Sequence, residues 1–404
     1  MPDLETALTG FHPLRSDEDA SIQALMEARI DAAHAWGQFQ GRMAHLPPDI
    51  AHHFACGLIR SALVDALVQS GFSDAKSWFS VWFCGLESPS VLTTHILAPA
   101  WTVADTLFVE LSLSGWEPLA EAAGQLRRTA RPDRDTGSAT PEIPPSLAVE
   151  QARTLADQLP EEGEDDWPLA ALDRLHHAAA GSRHFAPIER ERHLLSLPTG
   201  PIALEHTSSG AALWALDLMA GSVLARGHAG IAPLPLPGAV RSEALKPELW
   251  PRERAILVAD AAFRAIANLT DLIEAAYMAV RPLPAILGNL RSTSRAPSLY
   301  RILAGFGPLR PIQIEKILRI SKNGVRELVG TLAKAGLVEM TSHRGQAIIQ
   351  PLPFPPGGEH TEEVSGKSAS ALSGPFAQFD AAMAEIDRLL ARSASSDLSE
   401  PESD

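Results

Sequence analysis

Ser321, Lys322, Asn323 and Arg326 fall together in the run ISKNGVREL. Their chemistry suits the edges of nucleic-acid bases. A carboxamide such as Asn323 can make two bonds to adenine, a guanidinium or ammonium group can bond guanine, and a serine hydroxyl can serve either a base or a phosphate. The spacing of Lys322, Asn323 and Arg326 places them in the opening turns of a helix, the part of a recognition helix nearest the bases. Downstream, His343 and Arg344 stand in a polar stretch, TSHRGQ, with the charge to hold phosphate or enter a minor groove.

The surrounding residues predict the elements that hold these groups. Pro311 suits a helix start, where its missing N–H costs nothing. Ile314, Ile317 and Leu318 follow at helical spacing, and a turn is expected at Arg319 and Ile320. Ser321 is a good N-cap, because its hydroxyl can accept from an unpaired N–H one turn on. Val325, Leu328, Val329 and Leu332 make the apolar stripe of a second helix. Gly336 is the expected left-handed stop. Leu337 and Val338 then open a strand, Thr341 to Gln346 turn it, and Ala347, Ile348 and Ile349 return it.

This pattern resembles the winged helix-turn-helix of bacterial regulators, the MarR-like form especially. The residues that carry the likeness are Gly336, Leu337 and Val338 after the second helix, with His343 and Arg344 in the wing, over residues 296–352. The likeness implies double-stranded DNA as partner, with Lys322, Asn323 and Arg326 at the bases and Ser321, His343 and Arg344 on phosphate or in the minor groove. A wider run, RSTSRAPSLYRILAGFGPLRPIQIEKILRIS with GLVEMTSHRG after it, looks like the C-terminal part of an uncharacterised alphaproteobacterial family often carried on rhizobial plasmids. Such proteins join a helical region to a C-terminal helix-turn-helix. That likeness implies an architecture and DNA binding, and no activity, ligand or catalytic residue.

Charge agrees with a polyanionic partner. Residues 281–350 hold eleven Lys and Arg against three Asp and Glu, a net of +8, in a chain whose net charge is −15. Residues 1–280 carry a net of −16 and residues 351–404 a net of −7. A basic island in an acidic chain is the footprint of a phosphate-binding module. The alternative is that the island is a solvated face and the module docks a protein, as in plasmid- or chromosome-maintenance complexes.

The chain of 404 residues is long enough for two or three domains. Ala and Leu dominate the periodic segments, so a mostly α fold is expected: helical bundle domains plus a C-terminal winged helix with a small β-wing. The expected division is a helical domain at 17–129, a linker at 130–146, a second helical domain at 147–280, the winged helix at 296–352, a linker at 353–374 and a tethered helix at 375–392. Within the first, Ile22, Leu25, Met26, Arg29, Ile30, Ala33 and Trp36 mark one amphipathic helix. Asp49 is expected to cap the next, and Trp78, Phe79, Trp82 and Phe83 to pack a core. In the second, Trp167–Ala180, Pro201–His228 and Pro251–Val280 are the expected main helices. The last, by analogy, serves a homodimer.

Two cysteines, Cys56 and Cys84, exclude a disulfide framework and a four-cysteine zinc site. The N-terminus lacks the basic and apolar regions of a signal peptide. The apolar run from Gly210 to Ala225 contains Asp217 and is too short to span a bilayer. A cytoplasmic protein with no membrane association is therefore expected. His52 and His53, like His176 and His177, are adjacent and diverge on a helix, so they do not form a metal face. The acidic run Glu161–Asp166 lacks the alternation of a calcium loop. No GxSxG, P-loop, GxGxxG or HExxH occurs, and Ser208 and Ser209 after His206 lack a frame of partners. No enzyme activity, metal or cofactor is expected, and any small-molecule effector is unknown. A pocket bringing His206 or His228 beside paired carboxylates would reverse that.

Overall fold

Helix α2 (Pro48–Gln69) lies at the centre of the molecule because it is apolar nearly all the way round, and a helix of that kind is stable only when covered on every side. A computed structural model of the chain describes residues 13–89, 98–129, 144–160, 167–189, 193–197, 200–204, 207–209, 212–226, 230–288 and 294–352. The described part is mostly helical. In chain order it holds α1 (Pro13–Ala44), α2, α3 (Ala75–Phe83), α4 (Ala100–Ser112), α5 (Glu117–Arg127), α6 (Pro145–Asp157) and α7 (Ala170–Ala180). Four short strands follow: β1 (Pro187–Glu189), β2 (His193–Leu197), β3 (Gly200–Leu204) and β4 (Thr207–Ser209). Then come α8 (Trp214–Arg226), a 3₁₀ turn (Ser242–Leu245), α9 (Pro251–Val280), α10 (Leu283–Ile286), α11 (Ala296–Phe306), α12 (Pro311–Leu318) and α13 (Lys322–Lys334). An antiparallel hairpin, β5 (Val338–His343) and β6 (Gln346–Pro351), ends the described chain.

α2 is covered by α3, α4, α5, α8, α9 and α11, and α1 lies along α9. The three segments expected as separate domains are therefore interleaved: α1 of the first packs on α9 of the second, and α2 of the first packs on α11 of the third. Residues up to Leu352 form one compact unit. The linker at 130–143, the acidic run 161–166, His206, His228 and everything after Leu352, including the expected helix at 375–392, lie outside the described residues.

The aromatic row on α3 packs the core as expected. Trp82 meets Trp101 of α4 at 4.4 Å, and Phe83 meets Phe306 of α11 at 4.6 Å between ring centroids. Such ring pairs add about 1 kcal/mol each beyond the area they bury.

Three expectations are corrected. The described residues within 201–213 are not helical: β2 pairs with β3 and β1 with β4, and α8 begins at Trp214. The run Pro198-Thr199-Gly200-Pro201 has turn chemistry, and Thr207, Ser208 and Ser209 favour competing backbone bonds over helix. Asp49 does not cap α2. Pro47 is the N-cap, and Asp49 instead pairs with Arg301 of α11 at 2.7 Å. Of the stripe expected on α1 only Trp36 is buried, while Ile22, Met26 and Ile30 are exposed; Ala32 and Phe39, outside that stripe, are buried instead.

Among the described residues no helix is long and apolar enough to cross a membrane.

Candidate nucleic-acid interface

The turn between α12 and α13 is made by backbone rules that the residues satisfy one after another. Arg310 donates its N–H to Gln313 Oε1 at 2.9 Å, and Pro311 opens α12. Arg319 takes a left-handed conformation, φ 51°, which halts α12 and redirects the chain. Ser321 Oγ then accepts from Gly324 N at 3.3 Å, the expected N-cap of α13. At the far end Gly336, φ 69°, stops the helix, with Leu337 N donating to Leu332 O at 3.0 Å. A residue with a Cβ is strained in that conformation.

α13 is amphipathic in the useful sense. Val325, Val329 and Leu332 are buried and Leu328 half-buried, so the opposite face turns outward. Ser321, Lys322, Asn323 and Arg326 are all exposed. α13 packs on α11, α12 and β5. Glu327 and Lys334 share the outward face. Glu327 was not among the expected site residues, though a carboxylate can accept from cytosine N4.

Two further arginines gather at the turn. Arg128, just past α5, donates to Ile317 O at 3.3 Å, and Arg295 donates to Leu318 O. They satisfy the last carbonyls of α12, where the helix dipole favours cations. Local sequence carries no sign of Arg128, because it arrives from 189 residues upstream.

The β5–β6 hairpin closes on Arg344 and Gly345, both at positive φ (51° and 77°), in a two-residue turn between the paired His343 and Gln346. This is tighter than the expected turn from Thr341 to Gln346. Leu309 adds a rung to β6: its N–H donates to Ile349 O at 3.0 Å and Ile349 N returns at 2.9 Å. The chain order is thus helix, short strand, helix, helix, strand, strand, with β6 between Leu309 and β5.

His343 and Arg344 are at the hairpin tip, His343 half-buried and Arg344 exposed, and both meet a carboxylate. Glu87, in the loop after α3, accepts from His343 Nε2 at 3.0 Å and pairs with Arg344 at 3.2 Å. Glu87 lies 256 residues from His343, so no sequence pattern announces the pairing.

The whole unit is fixed to the body along α11. Gly305 abuts α2 so closely that a Cβ there would stand 2.6 Å from His53 O and 2.9 Å from the Cys56 Cβ. Arg60 donates to Phe306 O at 2.8 Å, Gln313 to Phe83 O at 2.9 Å, and Cys84 Sγ to Pro308 O at 3.4 Å.

The other titratable groups serve the interior. Asp217 of α8, 3% exposed, accepts from Val240 N at 2.8 Å, Gly238 N at 3.0 Å and Gln69 Nε2 at 3.1 Å. Burial and the neighbouring carboxyl of Asp65 hold Asp217 well above the usual carboxylate range, and burial raises Asp65 too. Asp217 thus holds the chain segment around Gly238, and Asp65 accepts from Gln69 Nε2 at 2.6 Å. Burial pushes His53 and His176 down to about 4 and lowers His52. It pushes the thiols of Cys56 and Cys84 up to about 12, which leaves them protonated and poorly nucleophilic. Among the described residues no cluster of His, Cys, Asp and Glu could hold a metal ion.

No protein-family model matches the sequence, and no curated protein is similar to it.

Proposed function

We propose that residues 296–352 are a winged helix and that the protein is a sequence-specific DNA-binding regulator of transcription. The observation that carries this is the outward face of α13. A helix whose apolar edge is sunk into its own module presents Lys322, Asn323 and Arg326 to solvent at its capped N-terminal end. The net charge of +8 over residues 281–350 supports it, and so does the order of Leu309, β6 and β5. In this role the first turns of α13 enter the major groove. Asn323 and Arg326 read base edges, Lys322 approaches bases or phosphate, and Ser321, His343 and Arg344 hold the backbone or minor groove. A second copy of the chain completes the reader, since two-fold pairing doubles the base pairs contacted.

The test is selection of bound duplexes from a random pool with the purified protein. Recovery of an enriched motif repeated with two-fold symmetry is the expected result. Failure to enrich any sequence, together with binding that ignores salt, would favour a protein-docking module instead, since phosphate contacts release counterions and make DNA binding steeply salt-dependent.

A further inference from the structure

We infer that Glu87 occupies the place of a DNA phosphate on the wing, so that the protein carries its own competitor for the wing part of its DNA-binding surface. The inference rests on the DNA-binding reading above.

The geometry is specific. One carboxylate oxygen, Glu87 Oε1, receives both His343 Nε2 at 3.0 Å and Arg344 at 3.2 Å. Two donors converging on one anionic oxygen is the arrangement a phosphate oxygen would accept from the same pair. The tip is presented by a turn that holds Arg344 in a left-handed conformation, so its direction is set by the hairpin and not by the pairing.

The loop that brings Glu87 there is itself anchored. α3 ends at Phe83, and Leu86 N bonds back to Val81 O at 3.1 Å, which wraps the chain round the helix end. Arg310 Nη1 reaches Cys84 O at 3.4 Å while its Nη2 holds Gln346 Oε1 at 2.6 Å. Arg310 therefore ties the start of the loop to the start of β6, and Glu87 meets the tip of the same hairpin. The fold thus brings the carboxylate to the wing.

On α13, Lys322 and Asn323 are exposed. The helix and the wing are thus unequally ready: Lys322 and Asn323 face solvent, whereas the wing must exchange a carboxylate for a phosphate. Each exchange subtracts an ion pair from the gain, and the counterion release that goes with wing binding is reduced in step. Drawing Glu87 away from the hairpin raises affinity by freeing both donors at once.

The experiment uses the full-length chain and a labelled mixed-sequence duplex, with affinity followed by anisotropy across a salt series. Glu87→Gln keeps an oxygen acceptor but removes the charge. It should tighten binding about threefold at low salt, the scale of an exposed ion pair, and steepen the salt dependence. Arg344→Ala should weaken binding little in the native background and more in the Glu87→Gln background. That coupling separates competition from a general charge effect. Unchanged or weaker binding by Glu87→Gln, with thermal stability retained, would overturn the inference while leaving DNA binding intact. No binding by either protein, with Lys322→Glu/Arg326→Glu indistinguishable from both, would overturn the DNA-binding reading and this inference together.

Discussion

The outer face of α13 and the interior around Asp217 are built from the same kinds of side chain and treat them oppositely. Asp217 spends its oxygens on Val240 N, Gly238 N and Gln69, and His176 donates its ring to Leu172 O at 2.8 Å. Lys322 and Asn323 stand exposed on a helix whose N-terminal backbone is capped by Ser321. The difference teaches how to sort charged residues in this chain. A charge that completes another segment's backbone belongs to the fold. A charge that the fold holds up but does not need is available to a partner.

That contrast can be broken in order of size. Asp217→Ala should have the largest effect, because it strands the N–H groups of Gly238 and Val240 in the interior. A loss of about 3 kcal/mol in urea unfolding is expected. Asp217→Asn, which keeps a neutral hydrogen-bonding group in the same place, should cost clearly less. If the two variants unfold alike, the carboxyl is not serving those amides. Lys322→Glu/Arg326→Glu comes next. It should lower duplex affinity about 100-fold at low salt through lost and reversed phosphate attraction, with an unchanged melting temperature. Equal retention of DNA by the double variant would detach α13 from binding.

The third test is one of pH. His176 is held near 4 in the fold, against 6.5 for a free histidine. Between those values the unfolded chain takes up a proton that the folded chain refuses, so stability from this group falls as pH drops from 6.5 towards 4. Asp217 has the opposite sign, since its raised value makes the folded state hold the extra proton and lose stability as pH rises from 3.8. The stability gap between the native protein and His176→Asn should therefore shrink by about 2 kcal/mol between pH 7.5 and pH 5. A gap independent of pH would mean that His176 titrates normally. The smallest effect is expected for Ser321→Ala, about 1 kcal/mol from the lost cap. Hydrogen exchange at Gly324 should report it, and no change there would show that the cap contributes nothing.

Much of α12, α13 and the hairpin was legible because each signal there is local. Pro311, Ser321 and Gly336 act on backbone within a turn of themselves, and Val325, Val329 and Leu332 need only a period. The missed features depend on partners far along the chain. Glu87 and Arg128 reach the site from segments whose own neighbourhood says nothing about it. Asp217 read as a blemish in an apolar run, yet it is the acceptor around which the segment at Gly238 is folded. The row Ile22, Met26 and Ile30 shows the limit of periodicity: it announces a face and leaves open whether anything covers it. The strands at 187–209 escaped notice because Ile202 and Leu204 lie among turn-forming Pro and Gly and hydroxyl residues, too few to set a period of two.

The contact at Gly305 has a mechanical consequence. With no side chain between the two backbones there, α11 and α2 cannot slide or swivel independently, and a single added methyl would wedge them apart. The close packing of α2 on α11 is therefore set at Gly305, and α11 in turn packs on α13.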